Sequence, residues 1–568
     1  MLLRRLKEYA DRRMALPPVL YTEAPVRYII ELDADGRLLN PRPTDTADST
    51  NAKTKRGQRR MVPQIQRAAG IKPLLLADKA DYTLGIGGED AKPDRVAACH
   101  AAYLGLLERC AVATNAPEVL AVLRFLQETP RAQLELAKDF AHSEITTFRV
   151  NDTFVVDLPA VQAFWATEND PAAKNATVMQ CIVCGQQRPV LERLQGKVKG
   201  VPGGQTSGTS IISANAVAFE SYGLKASLVA PTCADCGERF TKALNSLLAD
   251  PQSRIFLGGA VFVFWTREPV EFVLLTYLDK PEAEDVKRLF GTPLSGQRAA
   301  PVDETAFYAT SLSGSGGRTV VRDWVDTTVG AVQTNLRQWF TWQRIVGSFG
   351  EEPRPLGLFP LAAATVREAK DIPSTLPRTL LRSALTGAPL PTGMLYQAVR
   401  RNRAEQKVTT QRAALIKLVF ASQQPIQQED FMVQLDPTNP SAAYQCGRLL
   451  AVLEEVQRVA IPGAKATIVD RFFGTASSAP ASVFGRLMRG AQPHLSKLER
   501  DNKGAYFRLQ RSLEEVASGL NGFPRTLTLE DQGLFSLGYY HQRAHDRAEA
   551  KAASERKKAA SEEAAPTT

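Results

Sequence analysis

Two copies of one five-residue pattern, Cys181-Ile182-Val183-Cys184-Gly185 and Cys233-Ala234-Asp235-Cys236-Gly237, constrain this chain more than any other feature. In a Cys-x-x-Cys-Gly turn both thiolates aim inward, and the glycine relieves crowding where the turn ends. Four such sulfurs fill a tetrahedral zinc shell. The interval between the two pairs exceeds the usual finger spacing, which costs little because loop-closure entropy grows only logarithmically with length. Cys181, Cys184, Cys233 and Cys236 are therefore expected to hold a structural zinc ion in an insertion at about residues 178–240, with a redox pair or four free thiols as the alternatives. All four ligands come from protein and no position stays open, so catalysis by this metal is not expected.

In a reducing compartment, close cysteine pairs bind metal more often than they form structural disulfides. The opening MLLRRLKEYADRR has charges where a signal peptide needs its apolar region, and no run of ~18 apolar residues occurs. The expectation is a cytoplasmic protein with no membrane partner. Cys99, Cys110 and Cys446 lie in apolar, helix-like surroundings and read as core residues. Seventy Lys and Arg against 60 Asp and Glu give a formal charge of +10, which favours polyanionic partners through long-range attraction and counterion release. A mildly basic protein without such a partner is the plain alternative. With 568 residues, 44% of them hydrophobic, the chain can bury several cores.

Patterning along the chain predicts a mixed α+β N-terminal domain carrying the zinc-knuckle insertion, then a mainly helical C-terminal region ending in a helical bundle. Val26 to Leu32, the turn Asp33-Ala34-Asp35-Gly36 and Arg37-Leu38-Leu39 read as strand, turn, strand. Residues 41–60 read as a mobile basic loop ending in Lys53, Lys55, Arg56, Arg59 and Arg60. Arg95 to Gln127 shows helical spacing in two segments before Pro130. Residues 200–213 are rich in Gly, Ser and Thr and read as loop, and Ile255 to Trp265 reads as one buried strand. Gly314-Ser315-Gly316-Gly317 is a connection without the lysine of a phosphate loop. Beyond about Thr328 the pattern is helical almost throughout, and residues 544–568 form a charged tail with no apolar face, read as a solvated helix or a frayed end. The expected domains are 1–330, a helical connecting region 331–431, a bundle 432–543 and the tail.

Enzyme signatures are missing. The chain has no Gly-x-x-x-x-Gly-Lys-Ser/Thr, which disfavours a motor ATPase. His545-Asp546 matches the dipeptide of a metal-dependent nuclease, but it sits in the charged tail, and most other histidines are distant in sequence. Gly85-Ile86-Gly87-Gly88 is an incomplete echo of a dinucleotide loop and more simply a turn. The chain is therefore read as no enzyme, the rival being a nucleic-acid-associated metalloenzyme with an unrecognised metal centre.

Several runs are more specific than composition. They are Arg67-Ala68-Ala69-Gly70-Ile71-Lys72-Pro73 leading into Tyr82-Thr83-Leu84-Gly85-Ile86, Gly203 to Ser210, Ser213 to Gly223, Arg400 to Glu405, Arg412 to Lys417, Gly447 to Glu454, Asp470 to Gly474 and Leu537 to Gln542. In this order and spacing the chain resembles, from residue 1 to about 543, the Csd-type large subunit of type I-C CRISPR Cascade. The resemblance implies a non-catalytic subunit of an RNA-guided surveillance complex that recognises the protospacer-adjacent motif (PAM) of double-stranded DNA, aids strand opening and recruits the helicase-nuclease. Its implied partners are the CRISPR guide RNA, the target DNA, the Cascade backbone and guide-end subunits, and a small subunit made by internal translation of the same gene. Met432, just before the loop Asp436 to Pro440, is the internal start that cuts no expected helix, with Met394 and Met488 as the other candidates. Members of that family typically carry Phe where Ala214 stands here and do not uniformly carry Cys233 and Cys236, so any contact of that ring does not transfer.

Reading a duplex takes cations for phosphates, with amides, hydroxyls or cations for base edges. Gln205, Thr206, Ser207, Ser210 and Asn215 offer adaptable donors and acceptors, and Gly203, Gly204 and Gly208 let backbone approach a phosphate. Composition alone favours a flexible surface connection for this stretch; the resemblance reverses that in favour of the DNA-binding role. Arg67 and Lys72, with Arg59 and Arg60, are the candidate phosphate contacts, against the reading of a solvated charge run. Arg400, Arg401, Arg403 and Lys407 form a basic helical stretch, with 400, 403 and 407 on one face, suited to nucleic acid or to intersubunit salt bridges.

Overall fold

The computed structural model describes residues 1–568 apart from 15–17, 19, 48–56, 66, 68–69, 89, 129–133, 138, 170–176, 195, 215, 271–273, 292–303, 425–430 and 564–568. The chain is α+β and forms two compact units. The first holds Met1–Lys199, Gln205–Ser246 and Gly317–Thr319; the second holds Gly200–Gly204, Leu247–Gly316 and Val320–Thr568. Along the chain, the main exchange between the two units falls between Ser246 and Leu247.

The first unit opens with helix α1 (Leu2–Arg13), which buries Leu6 and Ala10. Strand β1 (Tyr21–Leu32) alternates β-branched, aromatic and polar residues and buries its second half. It anchors a six-stranded sheet with β2 (Thr44–Asp45), β3 (Gln58–Pro63), β4 (Ala77–Lys79), β5 (Ile145–Val150) and β6 (Thr153–Phe154). β1 and β5 pair in parallel, as strands joined by a long helical crossover can. The crossover contains α2 (Pro93–Thr114) and α3 (Pro117–Glu128), the two helices expected there. Helix α2 is long and apolar enough to cross a membrane by composition. Its Cys99, Tyr103, Leu106, Leu107 and Cys110 are packed in the sheet's core, beside Trp165 of α4 (Pro159–Glu168).

After the 33–36 turn Arg37 to Leu39 fold back on the end of β1: the Asp33 amide donates to the Arg37 carbonyl at 2.9 Å, the Leu39 amide to the Glu31 carbonyl at 3.0 Å, and Leu38 bridges Leu32, while the next strand paired with β1 begins at Thr44. Arg59 and Arg60 lie in β3, paired with Pro25 and Ala24, and not in a mobile loop. Burial of Val62 against the core pulls this charged run into the sheet. Lys53, Lys55 and Arg56 lie outside the described residues.

The unit also carries the ribbon β7 (Val178–Gln180) and β8 (Gln187–Pro189), and helix α5 (Ala234–Ala249). The second unit contains an antiparallel sheet in the order β12-β11-β10-β9: β9 (Arg254–Leu257), β10 (Ala260–Thr266), β11 (Ala306–Ser315) and β12 (Arg318–Thr328), the last of which belongs to this unit from Val320 onward. The single strand expected over 255–265 is thus a hairpin. Gly258 and Gly259 take φ of +55° and +75°, the twin left-handed conformations of a tight primed turn.

From Thr328, whose hydroxyl caps it, helix α6 (Val329–Gln343) begins the helical region. It continues through α7 (Thr375–Thr386), α8 (Thr392–Glu405), α9 (Thr410–Gln423), α10 (Ala442–Ala460), α11 (Ile468–Ala476), α12 (Phe484–Asp501), α13 (Lys503–Ser518) and α14 (Leu529–Glu563). Helix α10 is buried along almost its whole length. A Cβ on Gly447 would stand 2.0 Å from the Phe535 carbonyl oxygen, and one on Gly538 would stand 2.1 Å from that of Tyr444. The two helices α10 and α14 therefore cross with their backbones in contact. Arg543, Arg448 and Glu454, buried beside the crossing, are paired: Arg543 with the buried Glu455 at 3.0 Å, Arg448 with the half-exposed Glu515 at 2.6 Å, and Glu454 with the Tyr539 hydroxyl, which donates to it at 2.7 Å. Helix α14 runs unbroken past residue 544, with Ala544 and Asp546 buried, so the residues read as a tail without an apolar face begin inside a packed helix.

Candidate metal centre and nucleic-acid surface

The four cysteine sulfurs of the two knuckles lie within 4.8 Å of one another. The first knuckle sits in the turn of the β7–β8 ribbon: the Cys181 amide donates to the Gln186 carbonyl at 2.9 Å and the Gly185 amide to the Cys181 carbonyl at 2.8 Å. Gly185 takes φ +73°, which a side chain would resist. The second knuckle forms the entry to α5, and Cys233 bridges back to Val190 beside β8. Cys181, Cys233 and Cys236 are buried and Cys184 is half-buried.

In a regular tetrahedron of Zn–S bonds of about 2.3 Å, sulfurs stand about 3.8 Å apart, so this cluster can close on a metal ion by small side-chain rotations. Burial opposes ionisation of Cys181, but the amides of Cys184, Cys233 and Val183 turned to its sulfur outweigh it and bring its pKa down to about 7. Burial raises the thiol of Cys233, and raises Cys236 further with the neighbouring cysteine charges. A cation must therefore replace the missing solvent if all four are to be thiolates.

Sequence reasoning missed the groups around this cluster. Arg239 of α5 donates to Asp11 of α1 at 2.6 Å and to Asp235 within the second knuckle at 2.5 Å. Lys7 binds Asp11 at 2.6 Å. Burial works against its charge, but Asp11, with Cys236 and Asp235 nearby, raises its pKa. The signal was available in the basic-acidic spacing of MLLRRLKEYADRR, but nothing in it pointed to a segment more than two hundred residues away.

The Gly/Ser/Thr stretch is held to backbone and does not hang free. In the second unit, Gly204 bridges Gly316, the Gly314 amide donates to the Pro202 carbonyl at 2.6 Å, and a Cβ on Gly314 would stand 2.1 Å from the Gly204 nitrogen. In the first unit, Ser210 bridges Arg318, and the Thr209 and Thr319 hydroxyls lie 2.6 Å apart. Gly203 and Gly204 thus serve close approach to protein backbone. Gln205, Thr206 and Ser207 are exposed, and the Ser210 hydroxyl accepts from Lys197 at 2.8 Å. Asn215 lies outside the described residues. The Arg318 guanidinium stands 3.6 Å over the Phe219 ring. Lys197 and Arg318 were not foreseen; the turn at Gly314 to Gly317 was their only signal.

The other candidate cations meet several fates. Arg67 pairs with Asp78, which is 1% exposed, and stacks on Tyr82. Arg60 lies over the Phe154 ring at 3.3 Å and reaches Asp157 at 3.3 Å. Arg59 makes an exposed pair with Glu23, and Lys72 is exposed. In α8, Arg401 and the buried Arg412 converge on Glu405, whereas Arg400 and Arg403 face solvent. Lys407 does not share their helical face: Gln406 takes φ +50° and ends the helix at Glu405.

A family model described as CRISPR-associated protein (Cas_Csd1) matches residues 3–546. No curated protein matches the chain.

Proposed function

The chain belongs to the Csd1 family of CRISPR-associated proteins, and from that premise we propose that it is the non-catalytic large subunit of a type I-C surveillance complex, working in the cytoplasm. In this reading it binds the guide RNA together with backbone, guide-end and small subunits, recognises the PAM of double-stranded DNA, aids strand opening and recruits the helicase-nuclease. The family match over almost the whole chain carries the proposal. The net charge of +10 supports it, as do the exposed Gln205, Thr206 and Ser207 on a loop pinned by backbone hydrogen bonds. Pinning lowers the ordering cost of reading a base edge.

We assign structural zinc to Cys181, Cys184, Cys233 and Cys236. Four protein thiolates complete the shell, so the metal would tie the β7–β8 ribbon to α5 and leave no position for substrate. That closure speaks against a metalloenzyme at these residues.

The test uses the assembled complex with its guide RNA. Lys72→Ala should weaken binding to all targets alike and reduce the salt slope by about one unit, whereas Gln205→Ala or Ser207→Ala should cost about 1–3 kcal/mol and relax discrimination at one flank position. Unchanged binding across flank variants and salt for all three would overturn this placement of the flank-reading site.

A further inference from the structure

The segment Val217 to Leu224 shows side chains that the fold does not use. Val217 is 81% exposed, Phe219 49% and Tyr222 98%. Exposed apolar residues scattered singly need no explanation, but three within six positions on one short loop do.

Tyr222 is the sharpest of them. Ser221 and Leu224 form an isolated antiparallel bridge, with the Leu224 amide donating to the Ser221 carbonyl at 2.9 Å. Between them Tyr222 and Gly223 take φ of +53° and +70°. Two successive positive φ values make a type I′ turn, whose first central position favours Asn, Asp or Gly. An aromatic residue there pays for a left-handed backbone, and with its ring in solvent it recovers nothing from packing.

The surroundings are cationic. Arg318 stacks on Phe219, Ser210 holds Lys197 and is bridged to Arg318, and Lys199 and Lys225 are exposed on the flanking chain. A cation stacked on Phe219, on the loop that also carries the exposed Tyr222 and Lys225, fits a chain with flat apolar faces and anionic links. Stacking on aromatic side chains is worth about 1–3 kcal/mol per base and tolerates any sequence.

Resting on the nucleic-acid reading above, we propose that Tyr222 is a stacking platform for one unpaired nucleobase, with the Phe219–Arg318 pair and Lys197 holding the adjoining phosphates. The short bridge sets the ring at the tip of the turn, and the backbone strain fixes its direction. The site takes a base that has left its duplex partner, from either strand, and reads no base identity.

The experiment uses the assembled complex and targets with 2-aminopurine at successive positions beside the flanking motif. Tyr222→Asn removes the ring and keeps a residue suited to the turn, so thermal stability should hold or rise slightly. Wild type should quench the fluorophore at one position. Tyr222→Asn should abolish that quenching and weaken target binding on the order of tenfold with the salt slope unchanged, and Tyr222→Phe should restore both. Arg318→Ala should lower the salt slope. If Tyr222→Asn quenches and binds as wild type while Gln205→Ala still relaxes flank discrimination, the stacking site is wrong and the function proposed above stands. If Tyr222→Asn instead releases a protein subunit from the complex, the loop is a protein interface and the stacking site is likewise overturned. A wild-type complex that binds no guide-matched DNA sinks both.

Discussion

Replacing one knuckle cysteine leaves three thiols that cannot complete a tetrahedral shell, so Cys181→Ser and Cys236→Ser should each lower zinc from about one per chain to near none by elemental analysis. Both should also expose the β7–β8 ribbon to protease, and wild-type protein purified without chelator yet lacking zinc would contradict the assignment. The clustering of the four cysteines was legible in the sequence because the pattern is local. The fates of Arg60 and Arg67 were not, because Phe154, Asp157, Asp78 and Tyr82 reach them only through the sheet. His541 is a further case: it is buried, its Nδ1 lies 2.9 Å from the Tyr444 hydroxyl, and burial together with the Lys417 charge lowers its pKa to about 3, against a smaller pull upward from Asp436. Above pH ~6.5 neither folded nor unfolded chain protonates this ring. As pH falls from there toward 3 only the unfolded chain takes up the proton, so this residue removes about 1.4 kcal/mol of stability per pH unit. Chemical denaturation at pH 7 and pH 5 should show a smaller loss for His541→Asn than for wild type, and equal losses would mean the ring is not held neutral.

At the scale of elements, the crossing of α10 and α14 depends on two hydrogens where side chains would be. A methyl group at Gly447 or Gly538 meets backbone oxygen and not a movable side chain, so the helices must separate. Gly447→Ala and Gly538→Ala should each cost about 1–3 kcal/mol by denaturant titration of helical circular dichroism. Gly490→Ala in α12, where a Cβ would meet nothing within 4 Å, should stabilise by up to about 1 kcal/mol. Equal effects at the two kinds of glycine would rule out the close crossing. Helices α2, α3 and α10 to α13 were legible because their apolar spacing and their Ser, Asn and Pro punctuation are local signals. The Gly258-Gly259 hairpin was hidden inside a continuous apolar run, since both of its strands bury their side chains. The charges past residue 544 fit a solvated helix, and they hide that its first turn is packed: Asp546 is buried and accepts a hydrogen bond from Gln542 inside the bundle.

For the molecule as a whole, the remaining question is whether the C-terminal helices also exist as a separate chain. Of the three methionines that could start it, Met394 lies in the first turn of α8 and Met488 lies within α12, so initiation at either would cut a helix. Met432 lies between α9, which ends at Gln423, and α10, which starts at Ala442. A product from Met432 keeps α10 to α14, the Gly447–Gly538 crossing, the Arg543–Glu455 and Arg448–Glu515 pairs, and the Ser441 and Asn502 caps. It loses what α8 and α9 supply to α14: Phe420 and Leu395 against Gly533, and the Thr410 hydroxyl bound to Tyr540 at 2.9 Å. Such a fragment should therefore fold as a helical bundle with one apolar face uncovered around Gly533 and Tyr540, and should be held in a complex in preference to remaining a free monomer. Its exposed Arg471, Arg486, Arg489 and Arg500 suit a path for single-stranded nucleic acid without sequence preference. Intact-mass analysis after expression of the unaltered gene should find a species beginning at Met432, and changing that codon to one for leucine should remove the species while leaving the full-length chain folded. Only full-length chain in the assembled complex, from a gene with the codon intact, would defeat the prediction.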